Sequence, residues 1–254
     1  DFADFFALVD AHNQSDAATY QSQVSALVDV PSWMRAMAVQ RIAGNWDSYG
    51  WSIGKNTYIY KPPAGRWAMI PWDIDFSLGL TGDSVTSDLF SLTSEHIPNE
   101  LTADPLMRKF RSNVTYGREY WRAFSDAVSG PMLHAAERID LIANALVAQG
   151  LSPTGTETVK TYVADRRTYI LSQLGTVAAG FSVAGPSLFS TTNSILTLSG
   201  TAPVSTATLT VNDLAPSLAW STVNAWSANY LLAPGVNTLA IVAWDGAGTA
   251  LGSA

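Results

Sequence analysis

One short stretch limits the folds open to this chain more than any other. Two runs alternate in the manner of β-strands, residues 56–61 and residues 66–71. Between them stands Pro62-Pro63-Ala64-Gly65, whose residue types favour a tight turn. We therefore predict a β-hairpin here, in a chain whose preceding and following segments carry the apolar spacing of helices.

Three carboxylates and one amide flank this hairpin: Asp47, Asn56, Asp73 and Asp75. Hard oxygen ligands of this kind hold Mg²⁺ or Mn²⁺ beside a phosphoryl group. If the segment that carries Asp73 and Asp75 is extended, the two carboxylates lie on one face and repel each other unless a cation lies between them. We predict Asp73, Asn56 and Asp75 as metal ligands, and Asp47 as a catalytic base that accepts a proton from a substrate hydroxyl.

Each of these residues also has a structural interpretation. An Asp-x-Asp pair occurs in structural calcium sites and as helix caps, and an isolated Asp47 or Asn56 is typical of a turn. The tryptophans of this region are predicted to be core residues: Trp46, Trp51, Trp67 and Trp72.

The distribution of charge divides the chain in two. All 14 Lys and Arg residues lie at or before Arg167, and from residue 181 onward only Asp213 and Asp245 are charged. The last part is rich in Ser, Thr, Ala, Gly and Val, with short strand-like runs between turn signals, including one at residues 237–244. We predict an α+β protein with domains at 1–180 and 181–254, the first mostly helical with one hairpin and the second an all-β, Ig-like sandwich.

Composition excludes several functions. A net charge of -7 leaves no basic surface for nucleic acid or for an anionic membrane. No apolar run approaches the roughly 20 residues of a membrane span, so we expect no membrane insertion. The chain has no cysteine, which excludes disulfides and thiolate sites. Because it opens at Asp1 without a Met, apparently inside a helix, we expect a processed or truncated fragment.

The order of motifs resembles a known family. Asp47-Ser-Tyr is followed by Asn56-Thr-Tyr-Ile-Tyr, then Gly65-Arg-Trp, then Ile70-Pro-Trp-Asp-Ile-Asp. Together these resemble the bacterial spore-coat-protein-H (CotH) kinase family, and the likeness extends over roughly residues 1–175. The resemblance implies a protein-kinase-like enzyme that uses ATP and Mg²⁺ or Mn²⁺ to phosphorylate proteins.

The resemblance also implies roles for individual residues. Asp47 matches the acid of the catalytic loop, Asp73 the metal-binding acid, Asn56 a metal ligand and Asp75 a second carboxylate. The interval from Asp47 to Asn56 is nine residues, where common protein kinases have five. Nothing before Asp47 offers a glycine-rich cover or a lysine-bearing strand, so we expect the nucleotide lobe on a part of the protein outside this sequence, with this chain supplying the kinase-like C-lobe. The nucleotide-binding residues are therefore unknown.

These observations lead to two functional expectations. The first is an atypical protein kinase, secreted or on the bacterial cell surface, that phosphorylates Ser or Thr of a surface or secreted protein. Its last domain resembles the Ig-like or fibronectin-like modules beside such kinases, and its final strand is expected to continue past Ala254. The alternative is a non-catalytic surface or binding protein that retains the scaffold. A weaker third interpretation is a carbohydrate-active protein with Asp47 and Asp73 as paired carboxylates.

Overall fold

The computed structural model describes residues 2–50, 55–92, 96 and 105–254, apart from the side chains of Pro105 and Leu106. The protein combines helices with antiparallel sheets, which confirms the predicted α+β class. Two compact units can be distinguished, Asp1–Ser172 and Gln173–Ala254. No helix among the described residues has both the length and the apolar composition needed to cross a bilayer.

Helices dominate the first unit, and its one hairpin interrupts them between the third and fourth helix. The elements are α1 (Ala3–Asn13), α2 (Ala17–Leu27), α3 (Val30–Ala43), β1 (Thr57–Tyr60), β2 (Ala68–Pro71), α4 (Pro105–Ser112), α5 (Val114–Ser129), α6 (Ala135–Ala148) and α7 (Thr156–Thr176).

Aspartates cap the first turns of two of these helices. The Asp16 side chain accepts a hydrogen bond from Thr19 N at 2.8 Å, and Asp29 accepts one from Ser32 N at 3.2 Å. Both bonds satisfy an N–H that the first helical turn cannot pair itself. Asp29 thereby fixes where α3 starts, and α3 is the helix that leads into the candidate site.

Helix α3 is the centre of the first unit, because it packs on both α5 and β2. Its Trp33 lies in an aromatic cluster, with ring centroids 5.5 Å from Phe110 and 5.8 Å from His12. Such clusters bury large apolar areas and hold their members in fixed orientations. A rigid α3 fixes the position of the residues that follow it.

The predicted hairpin is present, with strands slightly shorter than the alternation indicates. Tyr58 pairs with Ile70 and Tyr60 with Ala68 in an antiparallel register. A bridge between Val28 and Trp67, with Trp67 N donating to Leu27 O at 2.7 Å, joins the hairpin to the residues between α2 and α3. The hairpin is therefore hydrogen-bonded to the segment that joins α2 to α3.

The second unit contains two antiparallel sheets whose buried residues form one apolar cluster. Leu198 and Trp226 of one sheet and Val211 and Ile241 of the other are members. The four-stranded sheet has the order β3 (Ser182–Val183), β4 (Ile195–Thr201), β7 (Ala225–Leu231), β6 (Leu218–Trp220), and the three-stranded sheet has the order β5 (Thr208–Val211), β8 (Ile241–Trp244), β9 (Ala250–Ser253).

The strand expected at residues 237–244 is shorter than predicted, since β8 begins at Ile241. Asn237 provides the reason. Its side chain donates to Ala233 O and Gly235 O and accepts from Ala233 N, which closes a turn around the preceding Pro-Gly. Asparagine commonly closes turns in this way, so the β-branched residues after it form a strand only past the turn.

Candidate active site

Asp47 lies three residues beyond Gly44, the residue at which α3 ends with φ of 68°. A left-handed residue at this point stops the helix and redirects the chain, and glycine adopts it without strain. Asp47 is buried, with 5% of its surface exposed. Asp47 is thus placed directly after the helix at the centre of the first unit.

Two neighbours hold the Asp47 carboxylate. Lys55 Nζ lies 2.6 Å from Oδ1, and Asn56 Nδ2 donates to Oδ2 at 3.0 Å. The same Asn56 nitrogen donates to the Asp47 carbonyl oxygen at 2.6 Å. Charge-assisted hydrogen bonds of this kind fix a carboxylate in position and orientation.

Asn56 is thus brought to Asp47 despite the nine-residue interval between them. It has φ of 57°, in the left-handed region that Asn tolerates better than most residues. The hydrogen bonds it donates to Asp47 use Nδ2, and the oxygen of the same amide is a ligand of the type that Mg²⁺ takes. The two residues form one unit at the start of the hairpin.

Asp73 and Asp75 lie just past the end of β2, and both are exposed. The condition under which they would share one face of an extended strand is not met. Strand β2 ends at Pro71, and Asp73 has φ of 52°. A left-handed residue turns the chain, so strict two-residue alternation does not apply here. The hydrogen bond from Trp72 N to Asn56 O at 2.9 Å is the last hairpin link before this turn.

A buried asparagine connects the two halves of the site. Asn45 Nδ2 donates to Asp73 O at 3.3 Å, and Asn45 Oδ1 accepts from Asp47 N at 3.3 Å. The amide of Asn45 also contacts Gln40 Oε1 of α3 at 2.9 Å. The backbones of the candidate base and of the candidate metal ligand therefore meet at one side chain.

The hairpin presents an exposed aromatic face next to these residues. Tyr58 and Trp72 contact each other edge to face, with centroids 5.6 Å apart, and Ile70 lies opposite Tyr58 across the strands. Trp72 is 58% exposed, so its prediction as a core residue was wrong: the turn at Asp73 leaves it on the outer face. The prediction for Trp51 falls outside the described residues.

Two arginines, Arg41 and Arg166, are buried, and a third, Arg111, is half-buried. Arg41 Nη2 donates to Ser91 O, Arg111 donates to Phe90 O and Ser91 O, and Arg166 donates to Val85 O and Ser87 O. Burial lowers the pKa of Arg41 to about 9 and also lowers the pKa values of Arg111 and Arg166. With a pKa near 9, Arg41 is still charged at neutral pH, and its backbone partner helps to offset the cost of burying it.

The residues around Asp73 fit a divalent cation of the Mg²⁺ type. Two exposed carboxylates and one amide oxygen are hard donors. In the part of the chain that the structure describes, no three His, Cys, Asp or Glu side chains form a metal-binding group. A cation here would be held by one or two carboxylates with an amide and water, which is how Mg²⁺ is usually held beside phosphate groups.

Sequence patterns did not identify three of the residues that shape this site. The sequence feature that could have identified Lys55 is its position directly before Asn56. For Asn45 it is the position two residues before Asp47. Arg166 stood out only as half of an Arg-Arg pair on a long helix. Asn45 contacts Asp73, 28 residues later, and Arg166 contacts Arg41, 125 residues earlier, and local patterns do not report contacts over such separations.

Comparison with known proteins gives one match. Neither a curated protein nor a solved structure is matched. The family described as CotH kinase protein matches residues 1–167, which include Asp47, Lys55, Asn56, Asp73 and Asp75. That match covers more than half of the chain, and the chain therefore belongs to the CotH kinase family.

Proposed function

We propose that the first unit is a kinase-like C-lobe and carries the base and metal side of a protein kinase site, which transfers the γ-phosphoryl group of ATP to a Ser or Thr hydroxyl of a protein. The contact of Asn56 with both the carbonyl and the carboxylate of Asp47 carries this proposal. It joins a candidate base to a candidate metal ligand, and kinase chemistry needs these two groups side by side. Membership in the CotH kinase family supports the same reaction class.

Each site residue has a distinct role in this proposal. Asp73, Asn56 and Asp75 would hold Mg²⁺ or Mn²⁺, and the bound ion would neutralise phosphate charge. Asp47 accepts the proton of the acceptor hydroxyl. The oxygen of that hydroxyl forms a bond to the γ-phosphorus, and the bond between this phosphorus and the leaving ADP oxygen breaks. Lys55, whose side chain is 54% exposed and ion-paired to Asp47, keeps positive charge at the position where the phosphoryl group arrives.

The aromatic face of the hairpin is suited to the nucleobase. Tyr58 and Ile70 lie on the two strands, Trp72 directly follows the second strand, and all three are exposed. A purine ring gains stacking and apolar contacts on such a surface, while its phosphates extend toward the carboxylates. This placement gives the exposed Trp72 a function that a core position would not.

The rest of the chain fits a surface kinase. We propose domains at 1–180 and 181–254, the second an Ig-like sandwich, because its two antiparallel sheets share one apolar cluster. The substrate would be a Ser- or Thr-containing protein in a bacterial cell-surface or secreted assembly. The spore-coat origin of the family name agrees with such a location.

The test is a phosphorylation assay on the full-length protein that contains this chain, with radiolabelled ATP, Mn²⁺ and a library of Ser/Thr peptides. We expect transfer that Asp73→Asn lowers by about 10²–10³-fold, because one ligand of the charge-stabilising cation is lost. Asp213→Asn is the matched control, since Asp213 is also an exposed aspartate with positive φ but lies in the second unit. Equal activity in Asp73→Asn and the control would contradict the assigned role.

One observation favours the alternative, a non-catalytic protein that retains the scaffold. Lys55 engages Asp47 Oδ1 at 2.6 Å, so one of the two oxygens with which the base would meet a substrate hydroxyl is already occupied. Calorimetry with ATP and Mn²⁺ separates the two functions. Nucleotide binding without any transfer in the peptide assay would favour the scaffold.

A further inference from the structure

The last carbonyl oxygens of helix α3 accept hydrogen bonds from residues that are distant in the sequence. The final four carbonyls of a helix lack partners inside it. Here Arg41 O accepts from Arg166 Nη2 at 2.9 Å, Ile42 O accepts from Tyr162 Oη at 3.3 Å, and Ala43 O accepts from Leu78 N at 2.7 Å. The partners come from two other parts of the chain. Asp47 follows only three residues after this helix end.

Helix α7 supplies two of those partners. Arg166 and Tyr162 lie one turn apart on it, and both are buried. Their donors point to successive carbonyls of α3, 125 and 120 residues earlier in the sequence. The placement of the candidate base Asp47 therefore depends on α7, which lies near the C-terminal end of the first unit in the sequence.

The same arginine also holds the loop that follows the metal-binding acids. Arg166 Nη1 donates to Val85 O at 2.8 Å and to Ser87 O at 2.7 Å. This loop, residues 78–87, is itself bound to α3, since Asp83 N donates to Gly44 O at 2.8 Å. One guanidinium thus bridges the segment that leads to Asp47 and the segment that follows Asp75.

Two glycines show how closely Tyr162 packs against both segments. A Cβ added to Gly44 would lie 2.4 Å from Tyr162 Oη, and one added to Gly79 would lie 2.9 Å from Tyr162 Cδ2. Both glycines have positive φ, 68° and 76°. No other residue type fits these positions without displacing the ring, so Tyr162 fills the junction between the two segments.

From these contacts we infer that Arg166 and Tyr162 are positioning residues that set the relative placement of Asp47 and Asp73. The inference rests on the proposed function for its catalytic consequence. Arginine suits this position because its planar fork reaches three carbonyls at once, whereas the ammonium of lysine is a single point charge. Neither residue needs to touch the substrate for this role.

The experiment compares Arg166→Lys with Arg167→Lys in the full-length protein that contains this chain. Arg167 is the matched control, because it is adjacent on α7 and its Nε donates instead to Val128 O of α5 at 2.9 Å. We expect Arg166→Lys to lower kcat by about 10–100-fold, since small misplacements of reacting groups cost this much. The KM for ATP should change less than about threefold, and Arg167→Lys should leave both constants near wild type.

Hydrogen exchange provides a second measurement that does not require activity. The amides of Leu78 and Asp83 donate to α3, so Arg166→Lys should exchange them faster than Arg167→Lys does. Tyr162→Phe removes only the hydroxyl and should give a smaller effect of the same kind. It also carries the test if Arg166→Lys does not fold.

The outcomes separate the two proposals. If the wild type transfers phosphate but Arg166→Lys and Tyr162→Phe match Arg167→Lys in kcat and exchange, the positioning role is wrong while the proposed function stands. If the full-length wild type transfers nothing, the proposed function fails. Hydrogen exchange then decides the positioning role alone: unchanged exchange at Leu78 and Asp83 would overturn it.

Discussion

The two acidic halves of the site differ in almost every physical respect. Asp47 is 5% exposed, and its carboxylate is held by Lys55 and Asn56. Asp73 is exposed and has a left-handed backbone conformation, and the one hydrogen bond described for it uses its backbone oxygen. One half is held in place by folding, while the other remains open to solvent.

This difference matches the tasks that the two acids would perform. A general base must meet one hydroxyl in one orientation, so fixing it in advance reduces the entropic cost of the reaction. A carboxylate that binds a cation from solution must instead be reachable, and the cation supplies its order on arrival. Packing and polar contacts thus fix the candidate base, whereas the candidate metal ligand Asp73 would become ordered only when an ion binds.

The largest expected effect is on the buried side. Asp47→Ala should lower the free energy of unfolding by about 1–3 kcal/mol, because Asn56 and Lys55 lose a charged partner next to the core. Urea unfolding monitored by the circular dichroism of the helices measures this free energy, because helices α1–α7 begin in the first unit. Asp75→Ala, at an exposed position, is the control and should change stability by less than about 0.5 kcal/mol. Equal losses would remove the contrast between the two halves.

A substitution at the exposed Asp73 should change the free energy of unfolding in the opposite direction. Asp73→Gly should raise the free energy of unfolding by about 0.5–1 kcal/mol, because glycine adopts φ of 52° without steric strain. The same variant should lose metal-dependent transfer. The matched control, Asp213→Gly at φ of 63°, should relieve strain in the second unit and keep transfer. A destabilised Asp73→Gly would show that its carboxylate already has a structural role.

The smallest expected effect concerns the ion pair itself. Lys55→Met should change the free energy of unfolding by less than about 1 kcal/mol, since more than half of the lysine side chain is exposed to solvent. The difference from wild type should shrink further in 0.5 M NaCl, because salt screens exposed charges. A loss as large as that of Asp47→Ala would mean that Lys55, and not Asn56, holds the carboxylate.

Local features of this protein were predictable from sequence because their causes are local. Alternating residues around Pro62-Pro63-Ala64-Gly65 indicated the hairpin, which the structure contains. The four candidate residues were identified for the chemistry of their side chains. The structure shows Asp47 and Asn56 in contact, while metal binding and catalysis remain predictions.

The arrangement of the site was not predictable, since its causes lie far apart in the sequence. The turn at Asp73 follows from the end of β2, which leaves Trp72 exposed where core burial was expected. The contacts of Arg166 with Arg41 and Ser87 join positions 125 and 79 residues apart. Propensity and alternation carry no information about such pairs.

The absence of lysine and arginine beyond Arg167 has a practical consequence. Trypsin has no site in the last 87 residues, because the chain has 254 residues and the final basic one is at position 167. That last site lies within α7, so cutting there requires the helix to open. The release of an intact C-terminal fragment would therefore report the opening of the same helix that holds the base.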